Sequence, residues 1–196
     1  YQDAVWQQEA SARVDHSHMI RDLVLPDQIH NFAHNNEWLI RNLNFLGRIN
    51  DAVELAKNMI ELPRHPKINT LAKPDSPTEY GKRGSARYGR SRLIETLLRY
   101  EMWEEIIQLS QTVYLADTTI PEEQAKRLAA LGAAHYSLGQ EDKGSEALKE
   151  IENISIKLKQ LKLEASAKAE EKARAEKKSD NDINKAMVEA MNKFNN

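Results

Sequence analysis

Residues 47–63 read GRINDAVELAKNMIELP, and this stretch decides the fold class. Its apolar residues recur at spacings of three and four, the period of one face of a helix. They are Ala52, Val53, Leu55, Ala56, Met59 and Ile60. Gly47 suits the position just after a helix end, and Pro63 cannot continue a helical hydrogen-bond ladder. The stretch therefore predicts a helix from about 50 to 62 that directly follows another helix.

The composition extends this prediction to the whole chain. Only 7 glycines and 6 prolines occur in 196 residues, too few for the many tight turns of a sandwich or barrel. The sequence therefore predicts an all-α protein. The absence of cysteine excludes disulfides, Cys-ligated zinc and thiol catalysis within this chain. A net charge of −2 predicts no strong overall attraction to nucleic acid, and the apolar runs are too short to span a membrane.

The same periodicity predicts further helices on both sides of the deciding stretch. They cover about residues 1–18, 26–46, 87–100, 103–115, 121–138 and 141–156. The last is expected to continue to about 178 as one long charged helix, since its apolar spacing and its i,i+4 ion pairs persist. A break at 179–182 then precedes a final amphipathic helix over 183–194, which we expect to fold back on the long one.

The segment from 63 to 92 differs in charge from the rest of the chain. It contains eight Lys or Arg residues against two acidic ones, and its prolines and glycines predict an irregular loop over about 63–87. An anion-binding patch is one interpretation of this charge. Its residues would be Lys82, Arg83, Arg87, Arg90 and Arg92. The alternative is internal pairing of these cations with Glu residues of neighbouring helices.

The paired helices resemble the tetratricopeptide repeat. Gly47, Ile49, Ala52 and Pro63 match the second helix of that motif. Weaker matches occur at Leu131-Gly132 with His135, Gly139, Gly144 and Leu148, at Trp103 with Ile106, and at Tyr1 with Ala4. The resemblance covers about residues 1–155, at intervals longer than the usual ~34 residues. It implies stacked antiparallel helix pairs and a fragment of a larger protein, similar to segments of large bacterial repeat proteins.

The resemblance also implies a binding surface. In this family the first helix of each pair lines a groove that takes a protein or peptide. The matching positions here are His34, Glu37, Arg41, Asn44, Tyr88, Ser91, Glu95, Lys126 and Tyr136. The repeated Lys/Asn pattern of the carboxylate-clamp subgroup does not occur among them, so a chaperone C-terminal tail is not the favoured ligand.

Four of the six histidines lie within 19 residues and suggest a second class of function. These are His16, His18, His30 and His34. His30 and His34 are four residues apart, so they share a helix face, and paired imidazoles at this spacing can hold zinc. The alternatives are a polar cluster of neutral imidazoles and a pH-sensitive contact.

Nothing in the sequence matches a nucleophile–base arrangement, a phosphate-binding loop or a calcium loop. The first expectation is therefore a non-enzymatic scaffold for a protein or peptide, without a cofactor, and the second is a zinc- or other metal-binding module. The expected domains are a repeat domain over 1–155 and a helical extension over 156–196. Neither membrane nor nucleic acid is an expected partner. No targeting segment is visible, so the compartment stays open, and the rest of a longer chain is an expected neighbour.

Overall fold

A computed structural model describes residues 1–29, 31–65 and 84–194. Within these ranges all regular structure is helical, which confirms the all-α prediction. The α-helices are α1 (Gln2–Asp22), α2 (Phe32–Phe45), α3 (Ile49–Glu61), α4 (Ser85–Arg99), α5 (Trp103–Leu109), α6 (Pro121–Ser137), α7 (Glu141–Ala175) and α8 (Asp180–Asn192), and a 3-10 turn spans Pro26–Gln28. Most of the predicted 63–87 loop lies outside the described residues.

The chain divides into two compact units. The first is Tyr1–Gly144 and the second is Ser145–Asn196, so the boundary falls near the start of α7. The first unit contains six complete helices, and the second contains most of α7 together with α8.

In the first unit the helices pack in sequence order. Each of α1 to α5 contacts the helix that follows it, and α3 contacts α4 most extensively. In addition α2 contacts α4, and α4 contacts α6. These three helices therefore form a row, and the residues along α2 and α4 share one surface of the unit.

The core of the first unit is built from the apolar stripes that the sequence shows. Val5, Ile40, Met59, Leu97 and Ile106, one from each of the first five helices, are essentially inaccessible to solvent. Burying a side chain of this size contributes roughly 1.5–3 kcal/mol. The helices of the first unit are thus held together by one continuous apolar core.

Helices α3 and α4 approach each other closely at Gly89. A Cβ atom at this residue would lie 2.7 Å from the carbonyl oxygen of Ala56 and 2.9 Å from Cβ of Met59. Ala56 and Ala52 on the facing helix are fully buried. Gly89 lies inside α4, within the helix predicted over about 87–100, at a position where only a glycine allows the two backbones to approach.

Two predicted helices are shorter in the structure. The helix expected from residue 26 is split, because Gln28 closes a single 3-10 turn by accepting a hydrogen bond from the Leu25 backbone at 2.8 Å, and α2 begins only at Phe32. The helix expected over 103–115 ends at Leu109. The hydroxyls of Ser110 and Thr112 donate to carbonyls three residues earlier and compete with the helical ladder.

In the second unit the polar spacer 179–182 begins a helix as well as breaking one. Ser179 is the N-cap of α8, and its hydroxyl accepts a hydrogen bond from the Asp182 backbone at 3.3 Å. Ile183 in α8 and Ala173 in α7 are both buried, at 5% and 2% exposure. By contrast Leu163, nearer the middle of α7, is 69% exposed. Folding of α8 onto α7 stays a prediction.

Replacing Ser179 by alanine should destabilise α8 by about 1 kcal/mol, because one orphan N–H of its first turn loses its acceptor. Backbone amides in α8 should then exchange with solvent about fivefold faster, as measured by hydrogen exchange. Ser155→Ala, an exposed site within α7, is the matched control and should leave these rates unchanged. Exchange of α8 at free-peptide rates in the unmodified protein would show that the helix does not pack at all.

Candidate functional site

The exposed stripe of α2 carries an unusual set of side chains. His34, Trp38, Arg41 and Phe45 follow one another at spacings of four, three and four, so they lie along one side of the helix. Trp38 and Phe45 are 37% and 39% exposed, although both are large and apolar. The opposite side of α2 holds Ile40 and Leu43 in the core. The helix therefore presents aromatic rings to solvent without needing them for its own packing.

Two guanidinium groups lie over these rings. The guanidinium carbon of Arg41 lies 4.7 Å from the centroid of the Trp38 ring and 5.8 Å from that of Phe45. From α4, the guanidinium of Arg99 lies 4.8 Å from the same Phe45 ring. Tyr1 stacks on Phe45 with ring centroids 4.4 Å apart. We call Trp38, Arg41, Phe45 and Arg99 the arginine–aromatic surface.

The two guanidiniums of this surface have no carboxylate partner among the described residues. Arg92 and Arg48 differ, because each of them is paired with two carboxylates. A guanidinium that stacks through its flat face keeps its N–H donors at the edge, where they can form hydrogen bonds. Arg41 and Arg99 therefore offer ordered, positively charged donors to a ligand.

The surface continues toward the N-terminal end of α2. The indole N–H of Trp38 donates to Nε2 of His34 at 3.2 Å, and the two rings meet edge to face. The His34 ring also lies 6.5 Å from the ring of Tyr88 in α4. An aromatic row thus connects α2 with α4 at this end, as Arg99 and Phe45 connect them at the other.

Beneath this row a buried ion pair joins the two helices. Oε2 of Glu37 accepts from Nε and Nη2 of Arg92 at 2.7 and 2.6 Å, and Arg92 also binds Glu95. The side chains of Glu37 and Arg92 are only 10% and 19% exposed. Burial alone would lower the pKa of Arg92, but its hydrogen bonds to Glu37 and Glu95 outweigh this and raise it. The pair fixes the register of α2 against α4.

A second polar contact lies further along the same two helices. Nδ2 of Asn44 donates to Oγ1 of Thr96 at 2.8 Å, and the Tyr100 hydroxyl donates to the Asn44 carbonyl. Asn44 and Thr96 are buried, and Oδ1 of Asn44 is a buried atom without a hydrogen-bond partner in the part of the chain that the structure describes. Like the ion pair, this contact positions the helices that carry the exposed stripe.

The predicted groove residues fall into three groups according to their surroundings in the structure. His34, Arg41 and Tyr88 lie on or beside the arginine–aromatic surface. Glu37 and Asn44 lie in the contact between α2 and α4, where Glu37 pairs with Arg92 and Nδ2 of Asn44 binds Thr96. The remaining four are more accessible. They are Ser91, Glu95, Lys126 and Tyr136, of which Glu95 pairs with Arg92 and Lys126 with Glu122.

The described residues of the predicted anion-binding patch all contact other groups of the first unit. Arg87 pairs with Glu123 of α6, and Arg92 pairs with Glu37. Arg90 reaches the carbonyl oxygen of Val113 at 3.5 Å. Internal pairing, the alternative interpretation, thus describes Arg87 and Arg92. Lys82 and Arg83 lie outside the described residues.

The four predicted metal ligands are not seen together. His16 and His18 belong to α1, and Nε2 of His18 lies 3.0 Å from Asp22. Nε2 of His34 accepts the Trp38 hydrogen bond. Residues 1–29, 31–65 and 84–194 contain no group of three or more His, Cys, Asp or Glu side chains that could hold a metal ion. Because His30 lies outside these ranges, the metal site stays a prediction.

Sequence reasoning missed three members of the candidate surface, Trp38, Phe45 and Arg99, as ligand-binding residues. The spacing of Trp38, Arg41 and Phe45 at i, i+3 and i+7 could have revealed a shared helix face with a cation between two rings. No sequence spacing indicates Arg99, because this residue lies on another helix, 54 positions after Phe45.

No described helix has both the length and the hydropathy that crossing a membrane requires. Comparison of the chain with protein-family models, with curated proteins and with solved structures gives no match.

Proposed function

We propose that this chain is a protein- or peptide-binding scaffold that uses the arginine–aromatic surface on α2 and α4. The observation that supports this most directly is the pair of exposed rings, Trp38 and Phe45, with the guanidiniums of Arg41 and Arg99 lying over them. Tryptophan and arginine are the residue types that contribute most to protein interfaces when they are buried by a partner.

The architecture supports the same proposal. The row of α2, α4 and α6, each joined to an intervening helix, is compatible with the stacked pairs of a tetratricopeptide-like array. The buried Glu37–Arg92 pair fixes two helices of this row before a ligand arrives. A preorganised surface binds with a smaller loss of conformational entropy than a flexible one.

The proposal can be tested without knowledge of the natural partner. The full chain is used to select binders from a phage-displayed library of random peptides about twelve residues long. Selected peptides should bind saturably, and Trp38→Ala should weaken this binding by about thirtyfold, the usual effect of removing a central interface tryptophan.

Trp6→Ala is the matched control for this experiment. Trp6 lies on α1, is 65% exposed and is outside the proposed surface. This variant should bind the selected peptides as the unmodified protein does. Failure to select any saturable binder, or equal affinity of the two tryptophan variants, would contradict the proposed function.

A further inference from the structure

We infer that the ligand of the arginine–aromatic surface is an acidic protein segment, with two carboxylate side chains placed around an apolar residue. The inference rests on the proposed function and adds the chemical class of the partner. It is supported by two cations, one on α2 and one on α4, that have no carboxylate partner among the described residues and that both lie over the Phe45 ring.

The two cations are close enough for one ligand to reach both. Arg41 and Arg99 both lie over Phe45, so their guanidinium carbons are separated by no more than the sum of 5.8 and 4.8 Å. Side chains of one short extended or helical peptide can span that distance. A single segment can therefore contact both guanidiniums at once.

The guanidiniums of Arg41 and Arg99 each lie over an aromatic ring, which restrains the two side chains, and neither has a carboxylate partner among the described residues. A carboxylate fits the N–H donors of a guanidinium in a paired, bidentate arrangement. Because the side chains are already ordered, less conformational entropy is lost when a ligand carboxylate binds.

Apolar surface lies beside these cations. Phe45 is 39% exposed although Tyr1 stacks on its ring, and Trp38, at 37%, extends the apolar area along α2. An apolar ligand side chain lying between the two carboxylates would cover these rings and remove water from both ion pairs. Such exclusion of water is what makes central interface contacts strong.

Charge also distinguishes an acidic peptide from a nucleic acid. A phosphate backbone needs a track of several cations, because its affinity comes from many released counterions. Here only two unpaired guanidiniums belong to the surface, and nearby Arg92 is neutralised by Glu37 and Glu95. The guanidiniums of Arg41 and Arg99 therefore suit a peptide that carries two carboxylates better than a phosphate backbone.

The test uses peptides from the random library described above. The selected sequences should be enriched in Asp and Glu. A labelled selected peptide is compared by fluorescence anisotropy with a twin in which its Asp and Glu are replaced by Asn and Gln, and the twin should bind at least about tenfold more weakly.

Variants of the protein then identify the site. Arg41→Ala and Arg99→Ala should each weaken binding of the acidic peptide by about tenfold, and Arg41→Lys should recover only part of the affinity, since lysine cannot form the planar fork. Arg13→Ala, an exposed arginine of α1, is the control and should leave the affinity unchanged. Circular dichroism melts of each variant establish that it is folded.

The outcomes separate this inference from the proposed function. The inference would be overturned if the selected peptides lacked acidic residues. It would also be overturned if they bound the Arg41 and Arg99 variants normally while depending on Trp38. Either result would leave the proposed scaffold function supported. Binding of a labelled oligothymidine that is lost in the same variants, without peptide binding, would assign the surface to nucleic acid and overturn both. Absence of any selected binder would also contradict both.

Discussion

Replacing Arg92 by alanine should lower the free energy of unfolding by about 3–5 kcal/mol, measured by chemical denaturation. The Glu37 carboxylate, 10% exposed, would lose the two donors at 2.6 and 2.7 Å that compensate its burial. His34, at 3.5 Å from the other carboxylate oxygen, is too distant to replace them. A buried charge without its partner is far more costly than an ion pair lost at the surface.

Arg48→Ala is the matched control for that prediction. Arg48 also binds two carboxylates, those of Asp51 and Glu9, but its side chain is 41% exposed. Water and salt screen such a pair, so we expect a loss of at most about 1 kcal/mol. Equal losses in the two arginine variants would contradict the interpretation that burial makes the Glu37–Arg92 pair important.

A double substitution separates the charge effect from the loss of packing. Changing both Glu37 and Arg92 to methionine removes both charges and keeps much of the side-chain volume. Because a buried ion pair can often be replaced by apolar residues at little cost, this variant should be several kcal/mol more stable than Arg92→Ala. A double variant as unstable as Arg92→Ala would mean that packing, and not the unpaired charge, dominates.

Gly89→Ala should also destabilise the first unit, by a net amount of about 2 kcal/mol. The new Cβ would lie 2.7 Å from the Ala56 carbonyl oxygen, an atom of the α3 backbone that cannot move unless the helix shifts. Overpacking of this kind costs about 1–3 kcal/mol and often more when backbone must move, which outweighs the roughly 1 kcal/mol that alanine gains within a helix. The measurement is again the free energy of unfolding.

Gly144→Ala provides the control for Gly89. Its Cβ would meet ring carbons of Tyr136 at 2.7 Å, but that side chain is 46% exposed and can turn away. We therefore expect little change, or a slight gain from helix propensity. A Gly89→Ala protein as stable as the unmodified one would show that α3 and α4 can separate without loss.

The candidate surface was predictable only in part. The repeat resemblance drew attention to α2 and named Arg41, which the structure places over the ring of Trp38, as a groove residue, and the groove itself stays a prediction. It also included Glu37 and Asn44, which the structure places in the contact between α2 and α4. Polar residues on a helix look alike in sequence whether they face solvent or a partner buried on the next helix, so periodicity could not separate the two.

The sequence by itself determined the helices. Apolar spacing identified every helix of the described ranges, and Gly47, with a φ of +71°, ends α2 as the turn chemistry predicts. Some ends were less certain, because local side-chain bonds such as that of Gln28 compete with the helical ladder. These features depend on residues within a few positions of one another, and that is why they can be read from the chain.

Only the tertiary structure decided which residues meet. The sequence predicts a helix around Gly89 but not that this residue lies at a close approach of two helices, since that role depends on a backbone atom 33 positions away. In the same way Arg99 joins the surface of α2 because α4 lies beside it, and Arg92 is neutralised by a carboxylate 55 positions earlier. Contacts between residues so distant in sequence leave no periodic pattern, because they arise from how the apolar faces pack.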